Sequence, residues 1–299
     1  LSDYLLDVQY LLLGQTVMID LHTHSNVSDG TDSPSELINK AHSQGLKVIA
    51  LTDHDSTAGW DEAITALRPG MDLVLGSEIS CQAEGGFSVH MLGLLFDKNN
   101  QPLQESMAKV RDNRVGRMER IIKRLNEAGI EITMEDVLME SKDGATLGRP
   151  HLADALIKKG IAKSREEVFA DLLHNNSKFY IPHYSPTPIE VIRMIKNAGG
   201  VAVIAHPFAS LRGRTIDEKA FEPMVEAGLD GIEIFHRDHT PEIQEVLLHI
   251  ARDFNLIATG SSDYHGQGKL NLLAEFTTSE ENWEELEAKA NEQIGRAHV

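Results

Sequence analysis

Six short apolar runs in this chain each deliver a histidine or an acid, and no other feature constrains the fold as much. Residues 17–21 end on His22-Thr23-His24, with Asp29 shortly after. Residues 48–52 run into Asp53-His54-Asp55, 73–77 into Glu78, 201–205 into His206-Pro207, and 256–260 into Ser261-Ser262-Asp263-Tyr264-His265. Phe87-Ser88-Val89 carries His90 into the apolar run 91–95. Alternate residues of a strand share a face, so His22 and His24 face one spot. One such strand end is ordinary. Six call for a common centre, and a parallel barrel supplies it by gathering its strand C-termini on one face.

The intervening segments alternate as such a barrel requires. Ser33-Pro34-Ser35-Glu36 reads as a capping box with proline at the first helical position. The helix it opens should stop near Gly45. Strand 47–52, helix 58–67 and strand 72–77 follow. Gly85-Gly86 interrupts the next stretch, so 80–83 and 87–96 read as a hairpin-like pair. Between 101 and 178 helical patterns dominate, at 102–128, 133–141, 149–159 and 164–174, with Gly129 and Gly160 as C-terminal caps. Alternation then resumes: helix 187–198, strand 201–205, helix 217–227, strand 230–235, helix 241–254 and strand 256–260. Residues 272–277 read as a last strand and 280–293 as a closing helix. The expected fold is an α/β barrel of about seven strands over 18–100 and 179–293, with a helical insertion at 101–178 beside its mouth.

The chain has 299 residues, enough for one barrel-sized domain with an insertion or for two small domains. No apolar run approaches the ~20 residues that span a bilayer. The single cysteine, Cys81, excludes an intrachain disulfide, suits a reducing cytoplasm and reads as a packing residue. A formal net charge of −18 argues against a broad footprint on duplex nucleic acid. It leaves room for a small phosphorylated substrate, because divalent cations make one pocket positive while the rest stays acidic. Met18 immediately precedes the first strand, so residues 1–17 read as a leader foreign to the fold. Residues 294–299 leave the acidic helical pattern abruptly and read as a foreign tail.

Of 14 histidines, six lie in the strand-end motifs: His22, His24, His54, His90, His206 and His265. With Asp29, Glu78 and Asp263 they make nine candidate ligands. One ion takes four to six ligands, so the set suits two or three ions with shared carboxylates. Nitrogen and oxygen donors fit manganese, with iron and zinc as alternatives. Asp53 and Asp55 flank His54, and Asp55 either orients the imidazole or caps the following turn. Asp20 reads as a buried structural partner. Gly148-Arg149-Pro150-His151 opens a helix in the insertion. There Arg149 and His151 are candidates for binding substrate phosphate, against a surface salt bridge for Arg149. His236 follows an apolar strand and is a candidate to line the pocket, ahead of Arg237 and His239. His42, His174, His183 and His249 read as surface or packing residues.

These motifs closely resemble the PHP (polymerase and histidinol phosphatase) family of metal-dependent phosphoesterases. The resemblance runs from Met18 to about Asn291. Its carriers are His22-Thr23-His24, Thr52-Asp53-His54-Asp55, Gly76-Ser77-Glu78-Ile79-Ser80, His90-Met91-Leu92-Gly93, Ala205-His206-Pro207 and Ser262-Asp263-Tyr264-His265. The branch it most resembles contains RNase AM and 3′,5′-nucleoside bisphosphate phosphatases.

The resemblance implies a distorted TIM-like (β/α)7 barrel of the PHP type. It implies a first ion held by His22, His24, Glu78 and Asp263, and a second held by His90 and His206 with Glu78 as the bridge. A third would take Asp29, His54 and His265. Many relatives carry histidine where this chain has Asp29, so the third site is expected to be retuned. The activity implied is hydrolysis of nucleotide phosphate esters, either 3′,5′-bisphosphates or short RNA trimmed from its 5′ end. A metal-bound hydroxide would attack phosphorus, with no serine or cysteine nucleophile. Within the family the alternative is a histidinol-phosphate phosphatase. Outside it stand a non-catalytic metal-binding regulatory module and an amidohydrolase.

Overall fold

The computed structural model describes residues 17–174, 176–182, 184–209, 215–290 and 296–298. Seven strands follow one another around a single sheet in chain order. They are β1 (Ile19–Asp20), β2 (Val48–Leu51), β3 (Asp72–Ala83), β4 (Phe87–Leu94), β5 (Val201–Ala205), β6 (Gly231–Phe235) and β7 (Ile257–Gly260). β1, β2 and β3 pair in parallel, as do β5, β6 and β7. β4 runs antiparallel to both its neighbours and supplies the distortion. A parallel bridge between Thr23 and Tyr264 joins the two ends of the path. The His24 N–H donates to the Tyr264 carbonyl at 2.8 Å at the same place. The ring is thus nearly closed, and the expected α/β barrel is present.

The strands are buried on both faces, as a sheet covered by helices requires. Alternate residues divide between two cores. Ile49, Leu51, Ala202, Ile204, Ile232 and Ile234 pack with helix residues such as Leu37, Ile38, Ile192 and Ile195. Val48, Ala50, Val74, Leu92, Val201 and Val203 form the inner core, closed by Trp283 and Leu286 of the last helix.

The helices lie close to their expected places. α1 (Pro34–Ser43) has the full capping box of Ser33 and Glu36, and α2 is Trp60–Ala66. The insertion holds α3 (Gln101–Glu127), α4 (Met134–Leu138), α5 (Arg149–Lys158) and α6 (Arg165–Asp171). These share a core of their own that includes Ile121, Leu125, Leu152, Leu156 and Phe179. α7 (Pro188–Asn197), α8 (Phe221–Glu226), α9 (Pro241–Asp253) and α10 (Glu280–Glu287) complete the outer layer. No described helix is long and apolar enough to cross a membrane.

Some expectations fail locally. Residues 272–277 are not a strand: Ala274 has φ +57°, and Leu272 is 68% exposed. Instead the Ala274 N–H donates to Asp20 Oδ2 at 2.9 Å. β3 runs six residues past its expected end, as the first arm of the hairpin with β4. A last strand, β8 (Arg296–His298), pairs antiparallel with Asp72–Val74 of β3, inside the segment read as a tail. Residues 1–16, 294, 295 and 299, and with them most of the supposed leader, lie outside the described residues, as does His183.

Candidate metal centre

The strand ends converge on Glu78, which is 1% exposed. Its Oε2 lies 3.3 Å from His22 Nε2, 3.2 Å from His24 Nε2 and 3.1 Å from His54 Nδ1. Its Oε1 lies 2.6 Å from His90 Nδ1 and 3.0 Å from His206 Nε2. Asp263 faces the same space, with Oδ1 3.4 Å from His22 Nε2, 3.3 Å from His24 Nε2 and 3.5 Å from His265 Nδ1. Asp29 closes the other side: Oδ1 is 3.2 Å from His265 Nε2 and Oδ2 is 3.7 Å from His54 Nε2. The structure therefore brings all nine candidate residues together. Compact ligand sets form from His22, His24, Glu78 and Asp263, from His24, Asp29, His54 and His265, and from His54, Glu78 and His90.

The backbone is bent to achieve this. Asp55, His206 and Asp263 adopt φ of +50°, +29° and +52°, in the left-handed region that residues other than glycine seldom occupy. Such conformations persist where the surrounding structure enforces them, typically at functional sites. Buried acids do much of the enforcing. Asp53 accepts from the Ser25 N–H at 2.8 Å and from the hydroxyls of Ser25 and Ser28 at 2.7 and 2.6 Å, fixing the loop that carries Asp29. Asp55 accepts from the Ser80 N–H and hydroxyl, both at 2.8 Å, and pairs with Arg114 at 3.1 Å. These contacts brace loops rather than the His54 ring. Asp20 takes the structural role expected of it, accepting from the N–H groups of Ser262 and Ala274.

Burial disfavours charge throughout, yet the carboxyls of Glu78 and Asp29 are held below their usual range. For Glu78, the rings of His90, His54 and His22 outweigh burial and hold the carboxyl well below its usual range. His265 and His54 do the same for Asp29. Burial pushes His54 well down and His265 down to about 4. His22 goes the other way: against burial, Glu78, Glu233 and Asp263 raise it well above the histidine range. Against burial, Asp263 and Glu78 push His24 up to about 9.

Does this donor set fit metal ions? Asp29 Oδ1 and His265 Nε2 are buried and face each other at 3.2 Å, without the geometry of a full hydrogen bond to any described residue. Buried polar atoms seldom go without a partner. His22 Nε2 and His24 Nε2 point at each other from 3.0 Å. Converging nitrogens amid ionised carboxylates are what divalent cations satisfy, so the residues fit.

Two contributors were missed in the sequence. Glu233 is fully buried, touching His22 Nδ1 at 3.0 Å and the His206 N–H at 2.8 Å. Its signal was available, as the lone charge in Gly231-Ile232-Glu233-Ile234-Phe235. Lys269 Nζ reaches Asp263 Oδ2 at 2.9 Å, and no motif pointed to it.

The three substrate candidates fare differently. His151 is buried beside the Asp29 loop, bonded to the Ser28 backbone, and its Nδ1 accepts from the Gly148 N–H at 3.1 Å. His236 is buried within the cluster, with Nε2 3.5 Å from Asp263 Oδ2. Arg149 donates to the Leu173 carbonyl at 2.6 Å and lies over the rings of Phe169 and Tyr180. It is half-buried and lies near the buried Arg114 and Arg117. Burial, with Arg149 and Arg114 nearby, pushes Arg117 down to about 9, and burial pushes Arg149 down to about 10. Arg237 pairs with Glu275, and His239 Nδ1 lies 2.8 Å from the Ile234 carbonyl. His42 and His249 are exposed, and His174 is half-buried.

Known proteins share these features. The family model described as PHP domain matches residues 20–182. A 3′,5′-nucleoside bisphosphate phosphatase of Chromobacterium violaceum is 33% identical over 253 residues, covering 84% of this chain and 88% of that protein. A 5′-3′ exoribonuclease of Haemophilus influenzae is 35% identical, covering 84% and 90%. A phosphoribosyl 1,2-cyclic phosphate 1,2-diphosphodiesterase of Eggerthella lenta is 31% identical, covering 83% and 94%. A crystal structure from Bifidobacterium adolescentis, described as a metal-dependent phosphoesterase, superposes with a TM-score of 0.88 at 40% identity. That match covers 94% of this chain and 99% of the other.

Proposed function

The chain belongs to the PHP domain family, and on that premise we propose that it hydrolyses nucleotide phosphate esters. The substrates are 3′,5′-nucleoside bisphosphates, short RNA trimmed from its 5′ end, or both. The observation that carries this reading is the gathering of nine ligand-type side chains, five of them imidazoles in contact with Glu78, in a phosphoesterase fold. His22, His24, Glu78 and Asp263 would hold a first ion. Glu78 Oε1, with His90 and His206, would hold a second, and Asp29, His54 and His265 a third. When bound, divalent ions supply Lewis acidity and an activated water. Manganese is the expected metal, with iron and zinc as alternatives.

The remaining steps fall to the chain itself. His90 has the most exposed imidazole of the six, at 23%, so the reacting phosphate approaches along its side. Lys269 and His236 hold Asp263 from behind, which keeps Oδ1 turned toward His22 and His24. Arg149, half-buried with the buried Arg114 and Arg117 nearby, is a concentration of positive charge that suits a phosphate not being cleaved. That second contact favours a bisphosphate or oligonucleotide over histidinol phosphate. The acidic surface favours small substrates over duplexes.

A screen of the manganese-supplemented protein tests this. Nucleoside 3′,5′-bisphosphates, a 5′-phosphorylated RNA trimer, phosphoribosyl cyclic phosphate and histidinol phosphate are compared by kcat/KM. Either of the first two should lead. Histidinol phosphate or the cyclic phosphate leading would overturn the substrate class, and release of no phosphate or nucleotide would overturn the activity.

A further inference from the structure

We propose that Glu233 is a positioning residue that sets ligands of two neighbouring ion sites at once. The inference rests on the metal-binding reading above. In β6, Ile232 and Ile234 face the helices, which turns Glu233 into the barrel. There it is 0% exposed, a placement that is costly unless both carboxylate oxygens are satisfied. Each oxygen has its own partner. Oε1 lies 3.0 Å from His22 Nδ1, and Oε2 accepts from the His206 backbone N–H at 2.8 Å.

The first contact fixes chemistry. An ionised carboxylate only accepts hydrogen bonds, so the proton of His22 must sit on Nδ1. An ion that displaces the second proton would find Nε2 in the space it shares with His24 Nε2 at 3.0 Å, Glu78 Oε2 at 3.3 Å and Asp263 Oδ1 at 3.4 Å. A carboxylate behind an imidazole orients the ring and raises its basicity as a ligand. The second contact fixes backbone. It pins His206 at φ +29°, the conformation from which its ring reaches Glu78 Oε1 at 3.0 Å. The two rings so held stack, 5.6 Å apart and 22° from parallel. His22 belongs to the first ligand set and His206 to the second, with Glu233 behind both. Glu233 also forms a compact group with His22 and His206, but both of its oxygens are already engaged. It therefore acts through the ligands and not as one.

The test compares metal-free wild type with Glu233→Gln by calorimetric titration with Mn2+. A glutamine can still accept from the His206 N–H, but it cannot bond the same way to both partners or supply the charge. Two of the ion sites should weaken about ten- to a hundredfold while the number of ions bound stays the same. Titrations that superpose would overturn the inference. Outright loss of an ion would also overturn it, by making Glu233 a ligand. Circular dichroism of the metal-free proteins reports folding. If the variant does not fold, nitrogen NMR of wild type loaded with Zn2+ decides: His22 should carry its proton on Nδ1, and a proton on Nε2 overturns the proposal. Wild type that binds neither metal would fail differently, since it removes the metal reading itself.

Discussion

At the scale of single residues, Glu78 carries the heaviest load. Five imidazoles lie within 3.3 Å of its two oxygens, which makes it a shared member of the candidate ligand sets. Glu78→Gln keeps the shape and removes the charge. Disturbing a partner behind a ligand costs about 10–100-fold, so losing a shared ligand should lower kcat/KM by more than ~100-fold. Steady-state kinetics at saturating Mn2+, with folding checked by circular dichroism, measures it; near-normal turnover would remove Glu78 from the centre. Arg149 makes a different prediction. Losing a contact to a charged group costs about 1.5–3 kcal/mol, so Arg149→Ala should reduce kcat/KM on a 3′,5′-bisphosphate roughly ten- to a hundredfold. Hydrolysis of p-nitrophenyl phosphate, which has no second phosphate, should change much less. Equal losses would assign Arg149 to the fold, in keeping with its bond to Leu173 and its stacking on Phe169 and Tyr180. The nine candidate residues that the structure gathers were legible because strand ends repeat one chemical theme. Glu233 was visible as a charge in an apolar strand but lacked that theme. Lys269 was not visible, because a turn far from any strand places it against Asp263.

At the scale of elements, the insertion braces one side of the centre. Arg111 and Arg114 of α3 hold Asp55, next to His54. The Thr146 N–H donates to the Val27 carbonyl at 2.9 Å, and His151 bonds to the Ser28 backbone, next to Asp29. Arg165, at the start of α6, donates to the Gly268 carbonyl at 2.9 Å, on the loop that follows His265. Asp29, His54 and His265, the candidates for the third site, thus each have insertion residues behind their loops. Arg165→Met should lower manganese occupancy by up to one ion per chain and leave the others in place. Elemental analysis after desalting reads this, and unchanged occupancy would count against the bracing role. Helix positions were legible where caps are local, as at Ser33 and Glu36. The supposed strand 272–277 was not, because the left-handed turn at Ala274 depends on Asp20, distant in sequence.

At the scale of the whole molecule, strand–helix alternation gave the barrel, and Gly85-Gly86 hinted at the inverted β4. Closure of the ring at Thr23 and Tyr264 is a contact between distant segments that no local pattern announces. The centre sits where both halves of the barrel meet, so filling it should stabilise the entire fold. Ligand at a hundred times its Kd contributes about 2.7 kcal/mol, or roughly 5–10 °C in Tm for a protein of this size. Thermal unfolding of metal-free protein with and without Mn2+ should show that rise, and EDTA should reverse it. The most direct measurement is anomalous diffraction at the manganese edge from crystals grown with Mn2+. Two or three peaks should appear, each within coordinating distance of its own set among His22, His24, Asp29, His54, Glu78, His90, His206, Asp263 and His265, with Glu78 touching two. Peaks elsewhere, or no peak beside Glu78, would contradict the metal centre and the phosphoesterase mechanism built on it.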